Sequence, residues 1–418
     1  MNIILYRYSP WISKLNFLNY DNSILFVPIK QKDAYEKYAI QFEQFPRIEY
    51  FKEFTLKEFV KVIDYLIKEE ALVINSITTQ CEEDIIDAGL LNDFYKSEYS
   101  EGFINTCFRD KYVMRSFLQG VIEQPDFQLI SSPSDIEDFK KRNSNNDYVI
   151  KHRLGFGTKS VRKISSSTVI DTVDYVDGIY SGNYLIENYV PDTMMVSNDG
   201  YAIGSEIKHF FVHDYDQSVL TVVESTHEHI VRTSHLYKKN INLIEKMKET
   251  SQKILKRFNA LSAINPFHIE WFINPKQGQL ILCEIARRYG GASIPSLVLN
   301  SFHVDLLKEY WENISLDKVV DTPMELELPS IISVSYQRTA EEGILKSLPE
   351  DALFEWTNFY YNFFQKNQKI TYKKEEQIPV YFIAEFSCQD DNDYQHKKQK
   401  MKLLSDMFIV EKSKVYFE

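Results

Sequence analysis

YVIKHRLGFGTKSVRKIS, residues 148–165, decides the fold. Two strand-like runs, YVIKH and VRKIS, flank a loop that carries Gly155 and Gly157. In a Walker or Rossmann site the glycine-rich loop opens a helix whose N-terminus receives phosphate. Here the loop opens a second strand, so it is the tip of a β-hairpin.

That tip has a chemistry of its own. Gly155 and Gly157 let the backbone approach a ligand, Thr158 and Ser160 offer hydroxyls and Lys159 a charge, a set suited to gripping phosphate oxygens. A tight hairpin that needs positive φ explains the glycines equally well. Lys151 stands in the strand entering the loop, and Lys111, in RDKYVMR, opens a helix expected over 105–120. Taken singly, each lysine reads as a solvent-facing side chain. Their order makes them a set: two ammonium groups and a backbone cradle complement a triphosphate. The chain around them is acidic, 48 Lys and Arg against 60 Asp and Glu, a formal charge of -12. That balance argues against a phosphate-backbone binder, so no nucleic-acid partner is expected.

Downstream, IENYV at 186–190 is an extended run ending before Pro191. Its free backbone groups, from Glu187 through Asn188, Tyr189 and Val190, can imitate a base pair against adenine, with Glu187 accepting from the exocyclic amine; alone it is a strand with one exposed acid. Then come HIEWF (268–272) and CEIARRYGG (283–291), two apolar strands interrupted by Glu270 and Glu284 and folded into a hairpin by NPKQGQ. Carboxylates in such places are disfavoured unless paired, hydrogen-bonded or on a metal. Across the hairpin they can converge, and oxygen ligands beside phosphates suit Mg²⁺; the bland alternative is a buried Glu–Arg pair. Residues 284, 286 and 288 share a strand face, so Arg288 points with Glu284 and Arg287 away. Arg288 is placed to neutralise a γ-phosphate or a developing oxyanion.

Around this centre the chain alternates strands and helices. NIILY (2–6), SILFVPI (23–29) and ALVINS (71–76) read as strands, the last two separated by a helix with a capping box at Thr55 and Glu58, so a parallel α/β sheet is expected at the N-terminus. A helix at 132–142 places Ser134 and Glu137 in capping-box register. Residues 199–212 read as two short strands or one bent one, 241–261 as an amphipathic helix, and the region after Pro329 as strands closed by a helix near 395–407. At 418 residues the chain accommodates two to four domains. Four cysteines without metal or redox spacing, an N-terminus broken by Arg7 and Pro10, and no long apolar run point to a cytoplasmic protein without a membrane partner.

DK, VIK with a Gly-rich hairpin, IENYV, HIEWF and CEIARRYGG, in that order over roughly residues 105–300, resemble the ATP-grasp superfamily, most closely its carboxylate–amine ligase branch (L-amino acid ligase and carnosine synthase-like). The resemblance implies an α/β (α+β) architecture. An N-terminal parallel α/β domain would span 1–108, a small β-rich ATP lid lobe 109–185, a larger antiparallel-sheet lobe 186–328 and a C-terminal extension 329–418. It implies ATP and Mg²⁺, with Mn²⁺ as an alternative, small-molecule carboxylate and amine substrates, and a homodimer, common among similar proteins. By motif, Lys111 and Lys151 would hold phosphates, Gly155 to Ser160 would form the lid and Glu187 to Val190 the adenine hinge. Glu270 and Glu284 would hold Mg²⁺, and Arg288 would face the transferred phosphoryl group.

Two positions depart from the pattern. Ala286 stands where Asn is a further metal ligand, and Asp192 and Met194 replace a Gly and a ribose-binding Glu. A thiol or bicarbonate nucleophile, or a nucleotide-binding protein without ligase activity, are the other readings. His209, His213, His227 and His229 lie in the region of a general base, and Arg232 reads as a carboxylate clamp or a solvated charge.

Overall fold

The first two apolar runs fold as parallel strands β1 (Asn2–Leu5) and β2 (Ser23–Pro28), buried throughout. With β3 (Arg47–Phe51) and β4 (Ser76–Thr79) they form a parallel sheet in the order β3-β2-β1-β4. The structure is a computed structural model describing residues 1–96, 100–144, 146–157, 161–167, 178–191, 193–222, 227–259, 264–274, 277–316, 325–349, 354–372 and 379–412. The helix Leu56–Glu69 lays Phe59, Ile63 and Leu66 on this sheet, against Phe26 and Phe51.

Three local expectations change. Thr55 caps that helix without a side-chain bond; the Glu58 amide donates instead to the Thr55 carbonyl. The strand expected at 71–76 begins only at Ser76, because Ala71 leaves the helix at a φ of +54° and residues 71–75 serve as the connection. β4 is an edge strand, and the Asn92 amide occupies both backbone groups of Ile77, at 2.9 and 2.5 Å. In the third case Pro133 fixes the first helical turn, so Ser132 rather than Ser134 precedes the helix Pro133–Arg142 and donates its amide to Asp135.

The helix expected over 105–120 is two helices, Glu101–Arg109 and Lys111–Leu118. Asp110 separates them, accepting the amides of Tyr112 and Val113 at 2.9 and 3.2 Å, and Lys111 thereby opens the second. β5 (Phe127–Ile130), β6 (Tyr148–His152), β7 (Arg162–Ile164) and β8 (Tyr184–Asn188) form an antiparallel sheet in the order β5-β8-β6-β7. The β6–β7 pairing, Tyr148 opposite Ile164 and Ile150 opposite Arg162, is the hairpin read from the sequence.

The remaining strands are β9 (Met194–Ile203), β10 (Glu206–Tyr215), β11 (Glu228–Thr233), β12 (Ile264–Asn274), β13 (Gln279–Ala286), β14 (Ile332–Thr339), β15 (Gly343–Ser347), β16 (Thr357–Asn362), β17 (Lys369–Ile370), β18 (Val380–Cys388) and β19 (Ile409–Glu411). The eight-stranded antiparallel sheet runs β13-β12-β9-β10-β11-β14-β18-β16. Residues 199–212 thus belong to two long strands turned at Gly204, and three C-terminal strands continue the sheet that carries both acids. The helix Ile241–Phe258 buries Ile244, Met247, Leu255 and Phe258 in the largest core, with Trp271 and Trp311; Leu261 lies outside the described residues.

Gly200 in β9 faces the next strand closely enough that an added Cβ would overlap the His209 carbonyl and touch the Phe267 ring. Gly200→Ala is expected to lower stability by about 1–3 kcal/mol, the usual cost of overpacking, read as a lower midpoint in urea denaturation.

Candidate active site

Glu270 and Glu284 are direct cross-strand partners on β12 and β13, with a bulge immediately after Glu270. Their side chains face a cleft of about 380 Å³ between the small sheet and the eight-stranded sheet. Lys111, Lys151, Gly155, Gly157, Glu187, Asn188, Tyr189, Val190 and Arg288 line the same cleft. Thr158, Lys159 and Ser160, like Asp192, lie outside the described residues. Apolar side chains, among them Val149, Met195 and Phe272, contribute to the same lining.

The acids are not paired as the bland reading has it. Glu284 accepts from Lys111 Nζ at 2.6 Å, and the same ammonium donates to the Gly155 carbonyl at 2.6 Å. Glu270 accepts from the Tyr215 hydroxyl at 3.2 Å and lies 3.4 Å from His268 Nε2. His268 in turn is held at Nδ1, 3.0 Å from buried Asp199, which also accepts the Gly290 amide at 2.7 Å. Burial alone would push the imidazole down, but Asp199 and Glu270 outweigh it and raise it to about 10. Burial opposes ionisation of Glu270 as well, and His268 and Tyr215 reverse that, so its carboxyl sits below the usual range.

Glu187 is buried, not exposed. It receives Nε and Nη2 of Arg115, the latter at 3.0 Å, and the Lys151 ammonium at 2.8 Å. Arg115 also donates to the Cys283 carbonyl at 3.0 Å, tying the hinge strand to β13. Burial works against the Glu187 charge, yet the two cations hold its carboxyl at about 2.

Arg287 and Arg288 lie just past the end of β13 at Ala286, and only Arg288 lines the cleft. Arg287 Nη1 donates to Glu101 at 2.6 Å, away from the cleft. Arg288 donates from Nε to Glu82 at 2.6 Å and from Nη1 to the Tyr289 carbonyl at 2.8 Å. Glu82 comes from the 3-10 turn Glu82–Asp84 after β4 and also lines the cleft.

Of the histidines singled out in the sequence, none lines the cleft. His213 and His229 are pushed down to about 4 by burial, while His209 sits between Glu309 and Glu327 and His227 lies 3.2 Å from Thr339. His268, which sequence reading passed over, was discoverable: it stands two residues before Glu270 on the same strand face. Arg232 is neither clamp nor solvated charge. It pairs with Asp391 at 2.8 Å and lies over the Tyr394 ring, fastening β11 to the helix Asp391–Ser405.

Among the described residues no three His, Cys, Asp or Glu gather into a metal site. The donor set is two opposed hard carboxylates, which fits Mg²⁺ only with phosphate or water oxygens completing the shell. Ala286, in the cleft wall, adds none.

Solved structures share this architecture over the whole chain. An L-amino acid ligase from Bacillus licheniformis is similar at a TM-score of 0.70 and 14% identity, covering 99% of this chain and 98% of that one. A biotin carboxylase–β,γ-ATP complex from Campylobacter jejuni reaches 0.69 at 11% identity, with coverage of 98% and 92%. The biotin carboxylase domain of Hydrogenobacter thermophilus 2-oxoglutarate carboxylase, a dimer solved with MgADP and bicarbonate, reaches 0.67 at 10% identity, with coverage of 98% and 90%. No protein-family model matches the chain, and no curated protein matches it by sequence. The likeness is one of fold, and the fold is ATP-grasp.

Arg115→Met leaves Glu187 with one cation and is expected to destabilise by about 3–5 kcal/mol, the range for breaking a buried pair, measured by urea denaturation. The Glu187 carboxyl titrates lower folded, at about 2, than unfolded, at about 4.3. Its contribution is therefore complete above the unfolded value and is lost as pH falls toward 2. Glu187→Gln should flatten that acid limb of the stability curve.

Proposed function

We propose that the chain is an ATP-dependent carboxylate–amine ligase, which activates a substrate carboxylate as an acylphosphate and joins it to an amine with release of ADP and phosphate. The observation that carries this reading is the convergence in one cleft of Glu270, Glu284, Lys111, Lys151 and Arg288. The parts would be an N-terminal α/β domain (1–108), a lid lobe (109–185), a catalytic lobe (186–328) and a C-terminal extension (329–418).

Adenine would lie against the backbone of Glu187 to Val190, with Val149, Met195 and Phe272 among the apolar side chains available to it. Phosphates would replace the Gly155 carbonyl on Lys111 and lie beside Lys151, under the loop from Gly155 to Ser160. Glu270 and Glu284 would hold Mg²⁺ or Mn²⁺, which neutralises phosphate charge when bound. The substrate carboxylate oxygen attacks the γ-phosphorus and ADP leaves. The amine nitrogen then attacks the acyl carbon, the oxyanion that forms faces Arg288, phosphate departs, and the nitrogen loses its proton. The hairpin loop keeps water from the acylphosphate.

Bicarbonate in place of a larger acid is the second reading, favoured by the similar biotin carboxylase domain solved with that anion. No helix in the described residues is long and apolar enough to cross a membrane. The four cysteines are buried free thiols, which suits a reducing compartment, and a cytoplasmic reaction is part of this proposal.

The test is ADP release from ATP and Mg²⁺ across a panel of amino acids and bicarbonate, with product masses. Amine-dependent release with an amide product is expected, and a carboxylated product would favour the second reading. Nucleotide binding without turnover across the panel would favour a binding protein. Glu284→Gln and Arg288→Met should each lower kcat by about 10²–10³-fold, the range for one lost electrostatic stabiliser.

A further inference from the structure

Four carboxylates line the cleft, and no two share a paired cation: Glu284 has Lys111, Glu270 has His268, Glu187 has Arg115 and Lys151, and Glu82 has Arg288. The Glu82 pairing is the informative one. The last pairing is not the one that proximity along the chain favours. Arg288 comes four residues after Glu284, two past the end of β13, and acts electrostatically with both Glu284 and Glu270; a guanidinium in a water-poor cleft pairs strongly with any carboxylate it reaches. An Arg288–Glu284 or Arg288–Glu270 pair would neutralise the carboxylates that the cation needs.

Glu82 prevents it through fixed geometry. Its carboxylate is 2% exposed and takes both Nε and Nη2 of Arg288 on one oxygen. Its other oxygen lies 3.8 Å from Arg109, whose Nε also holds the Glu82 carbonyl at 3.0 Å. The turn that presents Glu82 is itself tied down, because Arg7 donates from Nε to Asp84 at 2.7 Å and the Tyr8 hydroxyl donates to Glu83. The remaining arm of Arg288, Nη1, is held by the Tyr289 carbonyl. Burial would raise the Glu82 carboxyl, but the charges of Arg288, Arg109 and Lys111 keep it below the usual range.

We propose that Glu82 is a positioning residue: it is the counter-ion of Arg288, holds the guanidinium off Glu270 and Glu284, and so keeps both carboxylates available to a divalent cation. This rests on the proposed reading of Glu270 and Glu284 as the cation ligands. It gives the N-terminal sheet a role at the reacting centre, exercised through Arg288.

The experiment is Mn²⁺ binding to the full-length protein with ADP, followed by the electron paramagnetic resonance signal of free Mn²⁺, which needs no turnover. It is run on the unsubstituted protein, E82Q, R288Q and the double variant. E82Q should weaken Mn²⁺ binding by about 10–100-fold, the scale for loss of an outer partner of a metal site, because Arg288 turns to Glu284 or Glu270. In the R288Q background the same substitution should have little effect, since no guanidinium is left to turn; that non-additivity is the signature of the coupling. Equal weakening in both backgrounds, as loss of a nearby negative charge or of general structure would give, overturns the proposal, and so does no weakening in either. No Mn²⁺ binding by the unsubstituted protein overturns the reading of Glu270 and Glu284 as cation ligands and this role with it. Thermal midpoints confirm that each variant is folded. Should E82Q unfold, E82D, which keeps the charge on a shorter arm, takes its place in the cycle and is expected to give a smaller weakening confined to the Arg288 background.

Discussion

Charge buried between two sheets must be matched pair by pair, and this constraint organises the molecule. A carboxylate or ammonium taken from water without a partner costs several kcal/mol, so each acid in the cleft fixes where a cation must stand. Glu187 is the deepest case, with both oxygens taken by Arg115 and Lys151. Arg115 lies on the helix after Asp110, Lys151 on β6, Glu187 on β8, and the Arg115 donors reach on to the carbonyls of Leu282 and Cys283 in β13. One buried acid thus sets the distance between the small sheet and the large one, and with it the width of the cleft.

The same pairing supplies a partner within the protein for each charge at the base of the hairpin loop. Lys111 spans the Glu284 carboxylate and the Gly155 carbonyl, while Arg109 reaches the Leu154 carbonyl on the same loop and lies against the Phe156 ring. The base of the hairpin loop is held by the cations that phosphate would need. On the proposed reading, nucleotide binding would be an exchange, phosphate oxygens for backbone carbonyl oxygens, with no newly buried unpaired charge. Glu284 would make the reverse exchange, giving up the Lys111 ammonium for a metal.

Much of this was legible in the sequence because it depends on local order. The pairing of β6 with β7, the lysine opening a helix and the pairing of Glu270 with Glu284 each follow from local order, which is a property of neighbours in the chain. What was not legible depends on distant partners. Glu82 sits in CEED, indistinguishable from a solvated acidic turn, and only the fold brings it to Arg288, more than two hundred positions on. Glu187 read as an exposed acid because Arg115 carries no mark of its direction inward. His268 was the exception, a local signal overlooked: it shares with Glu270 the face already assigned to chemistry. The displaced strand at 71–76 and the shifted cap before Pro133 were missed for a smaller reason, since one backbone angle at Ala71 and one proline outweighed the apolar pattern.

Ala286 shows what the pairing permits and what it forbids. His268 is its cross-strand partner on β12, and the imidazole is already engaged at both nitrogens, by Asp199 and by Glu270. A polar side chain at 286 would enter a wall in which the neighbouring donors and acceptors are taken, whereas a methyl group asks for no partner. The small side chain also leaves room beside Glu284 for oxygen atoms that the protein does not supply. If Glu270 and Glu284 hold a cation as proposed, they would anchor it without saturating it, and the missing coordination would come from an anion held by the facing cations. On the proposed reading, the cation and anion sites would be incomplete separately and complementary together, so that a phosphate-bearing ligand and its metal would enter the cleft as one object.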